Sequence, residues 1–121
     1  MSDSDAKPPA REWRIYLDDM IRFAQNVLAY THDVDKAAFE KGGLTYDATL
    51  RNLELIGEAA THIPADVRMM ADHIPWRLII ATRNRLIHAY LGIDNDTLWS
   101  IIQSDVPALL PQLSKLREER D

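Results

Sequence analysis

Apolar residues recur at intervals of three and four along most of this chain, and this spacing constrains the fold more than any other feature of the sequence. Between Arg11 and Thr31 the recurring residues are Trp13, Leu17, Met20, Ile21, Ala24, Val27 and Leu28. Such spacing places side chains on one face of a helix. No segment alternates apolar and polar residues as a half-buried strand does. The sequence therefore predicts an all-α protein.

Glycines and prolines divide the rest of the first half of the chain into further helices. We expect a short second helix that is capped by Asp33 and runs through Glu40. The pair Gly42-Gly43 ends that helix, and a third helix starts at Thr45. Its apolar stripe continues until Pro64, which stops it.

The second half of the chain contains two more main helices. Pro75 stands at a plausible first helical position, before the segment "WRLIIATRNRLIHAY", and Gly92 ends that helix. The acidic segment at 94–96 then caps the last helix. Because proline lacks an amide proton, we expect Pro107 and Pro111 to disturb the last helix.

The segments together predict an up-and-down bundle of four main helices plus short helices, in one domain over residues 11–121. Residues 1–10 are polar, contain two prolines, and are predicted to form a disordered tail. The absence of cysteine excludes disulfides and thiolate metal sites. No apolar run approaches the roughly 18 residues of a membrane span, and no signal peptide is evident, so we expect a cytoplasmic protein without membrane contact.

The charge of the chain is unevenly distributed. Its formal net charge is −5, which argues against broad electrostatic adhesion to nucleic acid. The segment from His73 to Ile93, however, contains no Asp or Glu and carries Arg77, Arg83 and Arg85. A local basic site of this kind suits the binding of a single phosphate.

Arg83 lies at the centre of the apolar face of the fourth main helix. With about 100° per residue, six apolar or aromatic side chains fall within roughly 60° of it. They are Trp76, Ile79, Ile80, Leu86, Ile87 and Tyr90. Arg77, Asn84 and His88 form a polar stripe beside this face.

A guanidinium in the middle of an apolar face is costly unless it is paired or hydrated. In one interpretation Arg83 is bridged to an acid of the third helix, Glu54 or Glu58. In the other, this face lines a cleft, such as one between two subunits, where Arg83 meets an anionic substrate together with Asn84 and His88. The pattern alone leaves both interpretations open.

The third helix contains two further features of interest. Glu54, Glu58 and His62 share a face, but their spacing is not the Glu-x-x-His of di-iron bundles, so structural pairing is favoured over metal binding. The small residues around Gly57 predict a close contact with a neighbouring helix.

The stretch "RNRLIHAY" at 83–90 matches the Arg-x4-6-His motif of the HEPN superfamily. More narrowly, Arg83-x4-His88-x-Tyr90 resembles the HepT toxins of MNT–HepT toxin–antitoxin systems. The segments "LRNLELIGEAA" at 50–60, "IPWRLIIATRNRLIHAYLGID" at 74–94 and "LWSIIQSDVPAL" at 98–109 are similar to HepT segments in the same order. The resemblance covers about residues 13–116.

This resemblance implies a HEPN-like helical fold and a metal-independent endoribonuclease. HEPN toxins act as homodimers in which the motifs of both subunits face one cleft. Carried over to this chain, Arg83 and His88 are catalytic and Asn84 assists them. We expect Arg77 and Arg85 to contact the RNA substrate, and no metal or other cofactor is needed.

In the HepT family, the tyrosine two residues after the histidine receives nucleoside monophosphate from ATP. The resemblance therefore implies that Tyr90 is modified by a partner nucleotidyltransferase of the MNT type, the antitoxin. From the pattern alone, the favoured interpretation of Tyr90 is a core tyrosine whose hydroxyl bonds to a backbone carbonyl. The alternative function is a non-catalytic helical module that binds nucleotide or a nucleotidyltransferase partner, and a third possibility is a plain dimer scaffold.

Overall fold

A computed structural model describes residues 10–88 and 93–119, and its regular secondary structure within these ranges is helical. The α-helices are α1 (Ala10–Thr31), α2 (Lys36–Glu40), α3 (Leu44–Ala60), α4 (Ala65–Met70), α5 (Trp76–Ile87), α6 (Asn95–Ser100) and α7 (Val106–Glu119). A π-helical segment, Ile101–Asp105, joins α6 to α7. The predicted all-α fold with four main helices is confirmed, and these are α1, α3, α5 and α7. The predicted disordered tail lies outside the described residues, except for Ala10.

The core lies on both sides of α1, which packs against α3 and against α7. The predicted apolar stripe of α1 is confirmed, because Leu17, Met20, Ala24 and Val27 are completely buried. Burial of a large apolar side chain stabilises the folded state by about 1.5–3 kcal/mol, so this stripe is a main source of the stability of the bundle.

A polar bridge fixes α3 against α1 inside this packing. Asn52 of α3 is buried, and its amide nitrogen donates to the carbonyl oxygen of Ala48 at 2.8 Å. Its amide oxygen accepts a hydrogen bond of 3.0 Å from Asn26 of α1. Because buried amides need partners, this bridge disfavours sliding of one helix along the other.

Helix α5 lies at the edge of the bundle and packs mainly on α3. Trp76 is the one buried residue of α5, and its indole nitrogen donates to the carbonyl oxygen of Ala71 at 3.0 Å. On the other faces of the helix, Leu78 and Ile87 remain 50% and 47% exposed. The helix that carries the predicted motif therefore presents much of its surface outward.

The start of α2 differs from the prediction. Asp35, and not Asp33, caps this helix, because its carboxylate accepts a 2.8 Å hydrogen bond from the amide of Ala38. Asp33 lies before the cap with a φ of 62°, in the left-handed region. Aspartate tolerates this region better than most residues, so Asp33 completes the turn out of α1.

Asp94 caps α6 as predicted, accepting hydrogen bonds from the amide and the hydroxyl of Thr97 at 2.8 and 3.1 Å. These bonds, the amide first, hold the pKa of Asp94 below its ordinary value. The predicted disturbance of the last helix is confirmed before Pro107, where the amide of Val106 reaches back five residues to Ile101. Pro111, by contrast, lies inside an unbroken α7.

None of the helices in the described ranges combines the length and the apolarity that a bilayer crossing requires.

Candidate active site

The site is built where α5 crosses Gly57 of α3. A Cβ atom at Gly57 would lie 2.2 Å from Cβ of Arg83 and 3.0 Å from the carbonyl oxygen of Ile79. Because such distances are far below van der Waals contact, only glycine permits this approach. The predicted close contact at Gly57 is confirmed. It places Cβ and Cγ of Arg83 directly against the backbone of α3.

Arg83 binds to the third helix and is also partly exposed. Its Nη2 donates to Oε2 of Glu58 at 2.5 Å, so the predicted bridge to the third helix exists. Glu54, the other candidate, instead pairs with Arg51 at 2.9 Å. Yet Arg83 is not sealed in the core, because 27% of its side chain is exposed. The guanidinium thus lies at the margin of the α3–α5 interface, within reach of a ligand.

Asn84 holds the other branch of the guanidinium, with its Oδ1 accepting from Nη1 of Arg83 at 2.8 Å. The Nε of Arg83 is buried, and within the described residues it has no hydrogen-bond partner. An arginine has five N–H donors in a fixed planar fork. Glu58 and Asn84 each accept one hydrogen bond from a terminal nitrogen, and among the described residues the second donor of each nitrogen has no acceptor.

His88 follows the last residue of α5. Its amide donates to the carbonyl oxygen of Asn84 at 3.0 Å, but its backbone angles, φ −94° and ψ 77°, are no longer helical. The imidazole is exposed. Helix α5 therefore orients Arg83 and Asn84. His88 lies at the exposed end of this helix, where the imidazole is accessible to a substrate from solution.

The predicted continuation of this helix towards Gly92 is wrong, because α5 ends at Ile87. The last turn of α5 buries no side chain, and helices of this length depend on tertiary packing for stability. Tyr90 therefore cannot be placed on the Arg83 face by helical extrapolation. It lies outside the described residues.

The two predicted RNA contacts lie in different grooves beside α5. Arg77 and Asn84 line a groove between α4 and α5, together with Arg68 and Asp72. Arg85 lines a second groove, on the side of Thr97 and Asp105. Arg77 and Asn84 thus line the same groove, and Arg85 lines a different one.

Sequence reasoning missed Arg68 of α4. Its Nε is buried and, within the described part of the chain, forms no hydrogen bond, although the side chain lines the same groove as Arg77. The surrounding residues form an unremarkable short helix, so only the packing of α4 beside α5 identifies it.

The second oxygen of Glu58 faces His62. Its Oε1 lies 3.7 Å from Nε2 of His62, and the imidazole stacks on Tyr16 of α1, with 4.3 Å between ring centroids and 13° between planes. The predicted structural pairing of Glu58 with His62 is confirmed. Over the described ranges, no group of three or more His, Cys, Asp or Glu side chains is arranged to hold a metal ion.

Comparison with known proteins identifies relatives over most of the chain. The family described as "Ribonuclease HepT-like" matches residues 20–116. A Methanocaldococcus jannaschii protein, whose name proposes that it is an RNase, is 37% identical over 82% of this chain and 91% of its own length. A Thermococcus cleftensis protein, named as a probable ribonuclease HepT, is 35% identical over 89% of this chain and 98% of its own. No solved structure matches.

Proposed function

Because the chain belongs to the HepT-like ribonuclease family, we propose that it is a metal-independent endoribonuclease with Arg83 and His88 as catalytic residues and Asn84 assisting. The observation that carries this proposal is the state of Arg83. Its guanidinium is fixed by Glu58 and Asn84, is partly exposed, and keeps donors on both terminal nitrogens. A pair of parallel donors matches two oxygens of a phosphate.

The chemistry requires proton transfer and stabilisation of charge on the phosphate. The 2′-hydroxyl of the RNA loses its proton and attacks the adjacent phosphorus, and the P–O5′ bond breaks. The products are a 2′,3′-cyclic phosphate and a 5′-hydroxyl that has gained a proton. Histidine suits both proton transfers near neutral pH, so His88 serves as general base or acid. Arg83 stabilises the negative charge on the non-bridging oxygens.

The proposal includes a homodimer in which residues 76–90 of both subunits line one two-fold cleft. One histidine does not easily serve as base and acid in a single step, whereas two copies across an axis divide these roles. The edge position of α5 supports this arrangement, since Ile87, one turn after Arg83, leaves an apolar side chain 47% exposed. Light scattering at micromolar concentration tests the dimer, and a monomer would contradict the shared site.

RNA binding is assigned to Arg77 and Arg85. Arg77 shares a groove with Asn84, which supports a phosphate contact next to the reacting one. Arg85 faces the second groove and would guide a different part of the strand. Each arginine–phosphate contact releases counterions from the RNA, and this release favours binding. We therefore expect the affinity for RNA to fall as the salt concentration rises.

We further propose that the protein is the toxin of a toxin–antitoxin pair and that an MNT-type nucleotidyltransferase silences it at Tyr90. The phenolate oxygen of Tyr90 attacks the α-phosphorus of ATP, pyrophosphate leaves, and the phenol proton is released. The added phosphodiester would compete for Arg83, and the nucleoside would obstruct RNA. Mass spectrometry after incubation with ATP and the partner tests this. An adduct that persists in Tyr90→Phe would contradict it.

RNA cleavage by the purified chain in EDTA tests the enzyme itself. The wild type should cleave, and Arg83→Ala should abolish cleavage while the helical circular dichroism persists. The matched control is Arg22→Ala, an arginine of α1 that forms an ion pair with Asp19 and lies over the ring of Phe23. Nucleotide or partner binding with no cleavage under any condition would support the non-catalytic module instead.

A further inference from the structure

We propose that Glu58 is a positioning residue that sets the plane of the Arg83 guanidinium for phosphate. This inference rests on the proposed function and extends it to a residue outside the Arg-x4-His motif. Glu58 follows Gly57, so the glycine that admits Arg83 and the carboxylate that binds it are adjacent on α3. The two residues form one receptor for the arginine side chain.

The hydrogen bonds of Arg83 show what Glu58 contributes. An unattached arginine side chain rotates about several bonds, and its charge alone does not fix the direction of its donors. Here Glu58 holds Nη2 at 2.5 Å and Asn84 holds Nη1 at 2.8 Å. Because both terminal nitrogens are hydrogen-bonded, the guanidinium cannot rotate. The remaining N–H group on each terminal nitrogen therefore keeps one direction. Asn84 alone would leave the whole planar group free to rotate about a single hydrogen bond.

Glu58 is itself supported from its far side. The oxygen that does not bind Arg83 faces His62 at 3.7 Å, and His62 is stacked on Tyr16 of α1. The carboxylate of Glu58 therefore lies between two nitrogen-bearing side chains from different parts of the fold. This chain of contacts connects the position of Arg83 to the central helix of the bundle.

Glu54 provides the matched comparison. It lies one turn before Glu58 on α3 and also forms an ion pair with an arginine, Arg51, at 2.9 Å. That pair contains no atom of Arg83. Replacement of Glu54 removes a carboxylate from the same helix without touching the proposed site, so it separates positioning from general effects of charge and helix stability.

The proposal predicts a particular kinetic pattern. In Glu58→Ala the positive charge of Arg83 remains, so RNA still binds and KM changes by less than about threefold. The donors are no longer held in the productive direction, and displacement of about 1 Å at a reacting centre lowers rates by roughly 100-fold. We therefore expect kcat to fall about 10- to 100-fold. Glu58→Gln retains an oxygen acceptor for Nη2 and should recover most of kcat.

The experiment combines this kinetic comparison with a readout that needs no RNA. Side-chain NMR of the full-length protein, labelled with 15N at arginine, reports whether rotation of the Arg83 guanidinium is hindered. Separate Nη signals are expected in the wild type, in Glu58→Gln and in Glu54→Ala. They should merge or broaden in Glu58→Ala. Circular dichroism confirms that each variant is folded.

The two readouts distinguish the possible failures. If Glu58→Ala matches Glu54→Ala in kcat and keeps the Arg83 signals of the wild type, positioning is wrong. If Glu58→Ala cleaves faster, the carboxylate competes with phosphate, and positioning is again wrong. If no RNA is cleaved by any variant but the Arg83 signals change as expected, the hold of Glu58 on Arg83 is supported and the ribonuclease proposal fails.

Discussion

Replacement of Gly57 by alanine should weaken the fold and the proposed active site together. In an ordinary helix interior this change stabilises a protein by about 1 kcal/mol. Here the new Cβ would lie 2.2 Å from Cβ and 2.9 Å from Cγ of Arg83. Carbon atoms in contact lie about 3.5–4.0 Å apart, so α3 and α5 must separate by more than about 1 Å.

Two opposing contributions determine how far Gly57→Ala changes the free energy of unfolding. Overpacking of this kind costs about 3 kcal/mol, near the upper end of measured values, because the obstacle is a Cβ atom fixed to the backbone. After subtraction of the helix propensity gain of about 1 kcal/mol, Gly57→Ala should destabilise by about 2 kcal/mol. For a chain of this size that is a loss of roughly 8 °C in Tm.

Thermal unfolding of three variants measures the effect. Gly57→Ala, Arg83→Gly and the double variant form a cycle in which Arg83→Gly removes the opposing Cβ atom. The double variant should be more stable than the sum of the single changes predicts, by about 1–3 kcal/mol. If Gly57→Ala instead raises Tm, as at an ordinary helical glycine, the close approach of the two helices is refuted.

Two further predictions concern RNA binding and the cap of α6. Arg77→Ala, measured on the His88→Ala background to prevent cleavage, should weaken RNA binding and lower the slope of log Kd against log salt by about 1. Arg22→Ala is the control, and an unchanged slope would remove Arg77 from the binding site. Asp94→Ala should lower Tm at neutral pH, because the pKa of Asp94 is lowered by its Thr97 hydrogen bonds. That stabilisation is complete above the ordinary pKa of 3.8 and disappears as the pH falls through the lower folded pKa, so a difference in Tm independent of pH would contradict the cap.

Much of the fold could be predicted because it depends on local periodicity. The apolar residues from Leu17 to Val27 recur at helical spacing, and they are buried in the structure. The same helical periodicity places Arg83 at the centre of the apolar face of α5. A guanidinium in that position is costly unless it is paired, and α3 offers the acidic side chains. For this reason Glu58 was predictable as one of two candidate partners, with Glu54, whereas the close contact at Gly57 was predictable from the small residues around it.

The errors lie where tertiary packing decides between equivalent local signals. Asp33 and Asp35 are both acceptable caps two residues apart, and only the turn out of α1 selects Asp35. The end of α5 at Ile87 depends on the absence of buried side chains in its last turn, and no residue before Gly92 marks it in the sequence.

Parts of the site could not be predicted because they join distant segments. The stacking of His62 on Tyr16 brings together residues far apart in the chain, and no local pattern indicates it. The groove shared by Arg68 and Arg77 depends on how α4 lies beside α5. Periodicity identifies which face of a helix is buried, but it does not identify the neighbour that covers each residue.

His88 is proposed to transfer protons during RNA cleavage, and a comparison of two histidine variants tests this role. Initial rates of cleavage of a defined RNA in EDTA should fall at least about 100-fold in His88→Ala, as removal of a general acid or base requires. His32→Ala is the matched control, because His32 is exposed at the far end of α1 and contacts Asp33. We expect wild-type rates for His32→Ala and products that end in a 2′,3′-cyclic phosphate. Full cleavage by His88→Ala would contradict it.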